Sequence, residues 1–190
     1  MKKKIFIIAA VIICLSLITG GTLAYFTAED TARNVITSGK IEVELVEQQL
    51  VRDSLQPYPS QPITVMPNVT VSKIVSAKSL YEPAWVRMQY VITVLDAAGE
   101  EMEISEEEMT KLFQITPDTE NWTHKDGWWY YTAPLEGEQT SKPLFEQIHF
   151  AAEMGNEYQG TTVYVDVKLE AVQAANNGAT VMEAAGWPEA

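Results

Sequence analysis

From residue 40 onward, apolar and polar residues mostly alternate with a period of two, and β-branched and aromatic side chains are frequent. This is the period of a β-strand, whose successive side chains point to opposite faces. Proline, glycine and asparagine interrupt the pattern, as is typical of turns between strands. The pattern predicts seven strands, at residues 40–46, 63–66, 70–77, 84–95, 128–132, 145–150 and 161–172.

The segment 84–95 shows the clearest alternation, and both of its faces are largely apolar. A strand with two apolar faces is covered on both sides. We therefore expect this strand in the middle of a sheet.

The connections between strands carry turn and helix signals. Asp126-Gly127 separates two aromatic segments and predicts a tight hairpin, because glycine supplies the positive φ that such turns need. Ser105, followed three residues later by Glu108, predicts a capped short helix. A second short helix is expected over 179–185. The segment 48–62 contains three prolines, and we interpret it as a surface loop.

Many strands with few helices predict an all-β fold, a two-sheet sandwich of jelly-roll or immunoglobulin-like kind. A parallel sheet is disfavoured, because parallel strands need helical crossovers.

The first 24 residues have the pattern of a secretory signal peptide. Three lysines, at positions 2–4, precede the uncharged segment 5–18, and small residues stand at Thr22 and Ala24. We expect cleavage after Ala24 or Tyr25. The alternative is an uncleaved anchor, since residues 5–26 carry no charge and are long enough to span a bilayer. With cleavage, residues 25–190 form a single domain, and residues 25–39 form its flexible N-terminal segment.

The chain is strongly acidic, with a formal net charge of −13. Without residues 1–24 it keeps 10 basic and 26 acidic residues, a charge of −16, and no cysteine, because Cys14 lies in the leader. Such a charge repels phosphate at long range, which disfavours nucleic acid and anionic membranes as partners. We expect membrane contact only through the uncleaved leader.

The chain shows no recognisable catalytic or metal-binding motif. Its two histidines, His124 and His149, are not in a His-Glu-x-x-His pattern, and no Gly-x-Ser-x-Gly or glycine-rich phosphate loop occurs. The acidic run 100–108 lacks the spacing of a calcium loop and is better explained as a solvated helix N-terminus. We therefore expect no enzyme activity, no cofactor and no metal.

The aromatic hairpin around residues 122–131 offers a candidate contact surface. Alternate aromatic residues in a hairpin face the core, which leaves Trp129 and Tyr131 on the outside, available to a carbohydrate or a protein.

Two N-terminal blocks resemble a known family. Residues 20–27 (GGTLAYFT) and 37–45 (TSGKIEVEL) are similar to the start of proteins exported through the SipW-type signal peptidase of Gram-positive bacteria. These are the TasA, camelysin and BsaA-like biofilm matrix proteins. Residues 66–73 and 82–88 resemble later blocks of the same family. The resemblance implies a secreted jelly-roll-like domain that assembles into extracellular matrix fibres. One camelysin branch has been classed as a metallopeptidase, a function that the missing zinc motif puts in doubt.

Strand physics suggests how such an assembly would form. A sheet edge presents unpaired backbone groups, and an extended segment of another copy can pair with them. The segment freed by cleavage is a suitable donor, with apolar residues at Tyr25, Phe26, Val35 and Ile36. The expected partners are further copies of the chain, a SipW-type signal peptidase and a minor assembly or anchoring protein. The alternatives are a secreted metallopeptidase and a monomeric surface adhesin.

Overall fold

A computed structural model describes residues 41–59, 66–158 and 160–188. In these ranges the chain forms nine strands, one α-helix and one 3₁₀ turn (Asn156–Tyr158). In chain order the elements are β1 (Val43–Val51), β2 (Ser54–Pro57), β3 (Val69–Ser79), β4 (Ala84–Leu95), α1 (Glu106–Leu112), β5 (Phe113–Ile115), β6 (Trp122–Lys125), β7 (Trp128–Tyr131), β8 (Phe145–Phe150) and β9 (Thr162–Gln173).

The strands form two antiparallel sheets, which confirms the predicted all-β sandwich. One sheet has the order β2-β1-β3-β8-β5 and the other has the order β6-β7-β4-β9. Their facing sides bury apolar residues such as Val75, Met88 and Leu169. Tyr90 of β4 meets Phe145 of β8 edge to face, with ring centroids 5.4 Å apart, so the core is continuous between the sheets.

Strand β4 lies between β7 and β9, which confirms the central position predicted from its two apolar faces. It pairs with β9 at every residue from Ala84 to Leu95. Its even-numbered residues face the inter-sheet core, and its first odd-numbered residues are buried on the outer face of the sheet.

The predicted hairpin and the first predicted helix are both confirmed. Asp126 and Gly127 have φ values of 50° and 80°, and Lys125 pairs directly with Trp128. Ser105 caps α1 by accepting a hydrogen bond from the backbone N–H of Glu108 at 3.3 Å.

The loop predicted over 48–62 is wrong for most of its described part. Strand β1 extends to Val51 and turns into β2, with Val51 opposite Ser54. Arg52 and Asp53 both have positive φ, at 47° and 64°, which is the geometry of a two-residue hairpin turn. The prolines do not prevent this pairing, because β2 is an edge strand and ends at Pro57.

The second helix, predicted over 179–185, is also wrong. This segment forms turns, closed by the side chain of Asn177. The Asn177 amide donates to the Ala185 carbonyl at 2.9 Å, and its oxygen accepts from the Ala185 N–H at 2.9 Å. A side chain therefore takes the place of the backbone bonds of a helix.

Other strand boundaries shift by a few residues. The strand predicted at 40–46 is observed as β1, which begins three residues later and ends five residues later than predicted. Of the strand predicted at 63–66, residues 63–65 lie outside the described residues, and Met66 is exposed and not in a strand. Strand β5 was not predicted, because three residues are too few to show a period.

Candidate functional site

The two sides of β4 are paired very unequally. On the β9 side all twelve residues pair, whereas on the β7 side only Arg87 and Met88 pair with a strand. An isolated bridge joins Ala84 to Leu135 on that side, and the next backbone bond is Met102 N–H to the Val94 carbonyl, at 2.8 Å. Within the described residues no strand lies beside Tyr90–Thr93 there. We call this unpaired side of β4, from Tyr90 to Thr93, the β4 slot.

Two local features produce the slot. The β6–β7 hairpin turns at Asp126-Gly127, so β7 has only four residues and begins at Trp128. It therefore does not extend along β4 beyond the residue that lies opposite Trp128. At the other end, the turn after β4 brings Glu101 back beside Leu95. The sheet is therefore interrupted between these two points.

The slot exposes backbone groups of β4. Backbone N–H and C=O groups of a strand alternate in direction, and both Ala84 and Val94 bond towards this side. Tyr90 and Ile92, like Ala84 and Val94, are even-numbered residues of β4, so their backbone groups point into the slot. These groups form a short sheet edge inside the fold.

A cavity of about 780 Å³ opens beside the slot, between the two sheets. Strands β4, β5 and β7 and helix α1 form its walls. A second cavity of about 740 Å³ shares Ile92, Ile104 and Met109 with the first and continues along β4 to Val94. The apolar residues around the first cavity are Tyr90, Ile92, Ile104, Met109, Phe113, Ile115 and Trp129. Burial raises the pKa of Tyr90 above its usual value.

The polar rim of the slot differs between its two ends. The exposed acids Glu101 and Glu103 line the end near Val94. Gln89 and His124 line the end near the β6–β7 turn, where Lys125 directly follows His124. The His124 ring packs against Trp129 at a tilt of 40°, with ring centroids 4.7 Å apart.

Trp129 and Tyr131 face the inter-sheet core, which is the reverse of the predicted orientation. Both are half-buried, and Trp129 lines the 780 Å³ cavity. Tyr131 packs on Trp122, with centroids 5.0 Å apart. A role of Trp129 and Tyr131 as a contact surface stays a prediction.

The alternate aromatics, Trp128 and Tyr130, lie on the outer face of the sheet and are covered by residues 174–188, here called the cover segment. Trp187 of the cover segment meets Tyr130 edge to face, with centroids 5.7 Å apart. Trp85 donates from its indole N–H to the Asn177 carbonyl at 3.0 Å. The cover segment and this face of the sheet thus form a second, smaller core.

A buried arginine, Arg87, lies at the centre of that second core, and it was not predicted from the sequence. The Arg87 guanidinium contacts Glu170 through two nitrogens and donates to the Pro188 carbonyl at 3.2 Å. The central guanidinium carbon, Cζ, lies 4.2 Å from the ring centroid of Trp128 and 4.7 Å from the ring centroid of Trp187. Cations are attracted to aromatic faces at such distances.

Lys73 is a second buried cation, on the inner face of β3. Its Nζ lies 2.6 Å from Glu47 Oε1 and 4.0 Å from the ring centroid of Tyr58. Burial, and next the charge of Glu47, raise the pKa of Tyr58 to about 12.

Residues Ala24, Tyr25, Phe26, Val35 and Ile36 lie outside the described residues. The predicted cleavage site and the apolar residues of the donor segment therefore stay predictions. In the part of the chain that the structure describes, no helix is long and apolar enough to span a bilayer.

Residues 1–58 match the family model described as camelysin metallo-endopeptidase. No curated protein matches the chain, and no solved structure matches it. The start of the chain is thus similar to camelysin, in agreement with the resemblance noted in its N-terminal blocks. Of the matched residues, only 41–58 are among those described by the structure.

The described residues do not fit the metal that the camelysin description implies. His124 lies on β6 in one sheet, and His149 lies on β8 in the other, where its Nδ1 is 2.9 Å from Thr70 Oγ1. Across 41–59, 66–158 and 160–188, no three His, Cys, Asp or Glu side chains are grouped so that they could hold a metal ion. A zinc peptidase site typically needs three such ligands.

Proposed function

We propose that this chain is a secreted structural subunit that polymerises into extracellular matrix fibres. Export removes residues 1–24 through a SipW-type signal peptidase, and the freed segment 25–36 of one copy then inserts into the β4 slot of the next. The observation that carries this proposal is the unpaired length of β4 beside an apolar cavity.

The slot can supply both parts of a strand-addition interface. The backbone groups of Tyr90 and Ile92 offer main-chain hydrogen bonds, and the cavity between the sheets offers space for apolar side chains. Tyr25, Phe26, Val35 and Ile36 are the apolar residues available in the donor segment.

The resulting contact is heterologous, because the donor segment and the slot are different surfaces of the same molecule. Such a contact leaves a free donor at one end and a free slot at the other, so it continues as a filament unless it closes into a ring. Cleavage of the leader acts as the switch, since it releases the donor from the membrane-bound precursor.

The test compares purified protein starting at residue 25 with a variant that lacks residues 25–36. We expect fibres from the first by negative-stain electron microscopy and folded, non-assembling protein from the second. A matched variant of full length, with serine at Tyr25, Phe26, Val35 and Ile36, separates loss of apolar anchors from loss of length. Circular dichroism controls for folding. Normal fibres from the shortened protein would contradict the proposal.

N-terminal sequencing of the secreted protein tests the export step separately. We expect a mature start at residue 25 or 26. Protein that stays in the membrane fraction with residues 1–24 attached would instead support an uncleaved anchor.

A secreted peptidase is the second candidate, and the match to camelysin over residues 1–58 is the observation that favours it. Casein cleavage by the mature protein, with and without added zinc, tests this candidate. If cleavage is observed and is lost in both His124→Ala and His149→Ala, the peptidase function is supported. Because these histidines lie in different sheets, we expect no zinc-dependent cleavage.

A further inference from the structure

The cover segment contains the only Asn-Gly pair of the chain, Asn177-Gly178. Asparagine before glycine is chemically labile, because glycine has no side chain to hinder attack by its backbone nitrogen on the asparagine amide carbon. Gly178 is exposed, and its backbone N–H has no hydrogen-bond partner within the described residues. The attacking nitrogen is therefore not held by another group.

The fold requires the glycine of this pair. Gly178 has a φ of 78°, which an L-residue rarely adopts. A Cβ at this position would also lie 2.9 Å from the backbone carbonyl carbon of Glu183 and 3.0 Å from the Ala184 nitrogen. The labile pair is thus a consequence of how tightly the cover segment turns.

The Asn177 side chain closes the cover segment and also connects it to β4. Its Nδ2 donates to the Ala185 carbonyl at 2.9 Å, and its Oδ1 accepts from the Ala185 N–H at 2.9 Å. Its backbone carbonyl accepts from the Trp85 indole. The two bonds to Ala185 restrain the amide that has to react, so the closed cover segment protects it.

We propose that Asn177 is a deamidation site and that its reaction hinders the cover segment from closing again. When the segment opens, the Gly178 nitrogen bonds to Asn177 Cγ, and the side-chain nitrogen leaves as ammonia with the proton of the Gly178 N–H. Water then opens the cyclic imide and restores a backbone N–H. The product is aspartate or isoaspartate, and the only co-reactant is water.

Both products lack the nitrogen that donated to Ala185. The Ala185 carbonyl therefore loses its partner, and in the aspartate form a carboxylate oxygen faces that carbonyl instead. The residues uncovered by an open segment are Trp85, Trp128 and Tyr130, all buried in the second core. Deamidation would thus convert a transient opening into a lasting exposure of aromatic surface.

Ageing of the protein from residue 25 onward tests the site. The protein is incubated in mildly alkaline buffer, where the backbone amide loses its proton more readily, and peptide mass spectrometry follows each asparagine. We expect conversion at Asn177 and much less at Asn176, the exposed neighbour, which is not followed by glycine. Conversion at Asn177 no faster than at Asn176 would overturn the site.

Trp187→Ala tests the protection by the closed segment. We expect this change to raise the rate of Asn177 conversion about tenfold, since losing one cation–π and one aromatic contact favours the open state by about that factor. Met182→Ala, at an exposed residue of the same segment, is the matched control and should leave the rate unchanged. Equal rates in all three proteins would overturn the protection.

Asn177→Asp tests the consequence, with Asn176→Asp as the control that makes the same change in charge. We expect hydrogen exchange in residues 174–188 to be about fivefold faster in Asn177→Asp, the factor expected from losing one hydrogen bond, and unchanged in β3 and β8. Exchange as slow as in Asn176→Asp would overturn the release. The deamidated form carries an added negative charge, so ion exchange separates it from aged protein and allows the same measurement without a substitution.

Discussion

Arg87 and Glu170 are direct cross-strand partners in β4 and β9, and both are buried. Arg87 donates hydrogen bonds to Glu170 Oε2 from Nε at 2.8 Å and from one terminal nitrogen at 2.6 Å. The other carboxylate oxygen, Oε1, forms an ion pair with Lys168 Nζ at 2.8 Å and has no hydrogen bond. Tyr130 of β7 accepts a further hydrogen bond from Arg87 at 3.2 Å. One guanidinium therefore connects three strands of the same sheet.

Replacing Arg87 by alanine is expected to destabilise the fold by about 3–5 kcal/mol. The change leaves the fully buried Glu170 with only the half-exposed Lys168 as its charged partner, and removing one member of a buried pair is costly. Urea unfolding of the mature protein measures the loss. Lys168→Ala is the matched control and should cost less than Arg87→Ala, because Lys168 is partly exposed and Glu170 keeps its two contacts with Arg87.

The double variant Arg87→Met with Glu170→Leu checks that interpretation. Replacing both members of a buried pair by apolar residues is often close to neutral. If the double variant is as unstable as Arg87→Ala, the instability comes from lost packing rather than from an unpaired carboxylate.

Trp187→Ala is expected to loosen the cover segment while the sandwich stays folded. The indole contacts Arg87 and Tyr130 and donates to the Ala184 carbonyl at 3.0 Å, so its loss removes contacts that hold residues 174–188 on the sheet. Hydrogen exchange by mass spectrometry should show faster exchange there and unchanged exchange in β3 and β8. Met182→Ala, at a residue 39% exposed, serves as the control.

Stability is expected to fall as the pH rises from about 10 to about 12. The pKa of Tyr58 is about 12 in the folded protein, and an unfolded tyrosine titrates near 10. In this window the unfolded state has lost the Tyr58 proton while the folded state keeps it, so deprotonation favours unfolding. Urea unfolding at pH 9 and at pH 11.5 measures how much the free energy of unfolding drops between the two pH values. In Tyr58→Phe this drop should be smaller by about 1 kcal/mol. If the free energy of unfolding falls with pH equally in both proteins, Tyr58 is not the source of the pH dependence.

Under the proposed function, salt is expected to accelerate fibre formation. Each added subunit brings a formal charge of −16 without its leader, and the Debye length shortens from about 30 Å at 0.01 M to about 10 Å at 0.1 M salt. Light scattering at a fixed protein concentration measures elongation across this range. An elongation rate independent of ionic strength would show that mutual repulsion does not limit assembly.

Much of the sandwich could be predicted where the pattern was long or the turn chemistry was explicit. Strand β4 was predicted with its observed bounds, because its alternation continues for twelve residues. The turn at Asp126-Gly127 was predicted from its glycine. The β1–β2 turn was missed, because Arg52 and Asp53 adopt positive φ without any glycine. They lie between two strands whose backbones pair directly on either side of the turn, at Val51 and Ser54.

The candidate site was less accessible to sequence reasoning. Alternation shows that Trp129 and Tyr131 share a face, but it does not show which face is turned inward. That choice depends on the cover segment, whose Trp187 is far away in the sequence and covers the other side of β7. The β4 slot depends on the length of a neighbouring strand, so it becomes visible only when the register is known.

The unbroken pairing of β4 with β9 has a mechanical consequence. The two strands run antiparallel over all twelve register positions, so tension that pulls them lengthwise in opposite directions loads their hydrogen bonds in shear. Bonds loaded in shear share the force and rupture together, whereas bonds pulled apart from one end open one after another. A subunit stretched along β4 therefore resists extension with its longest strand pair.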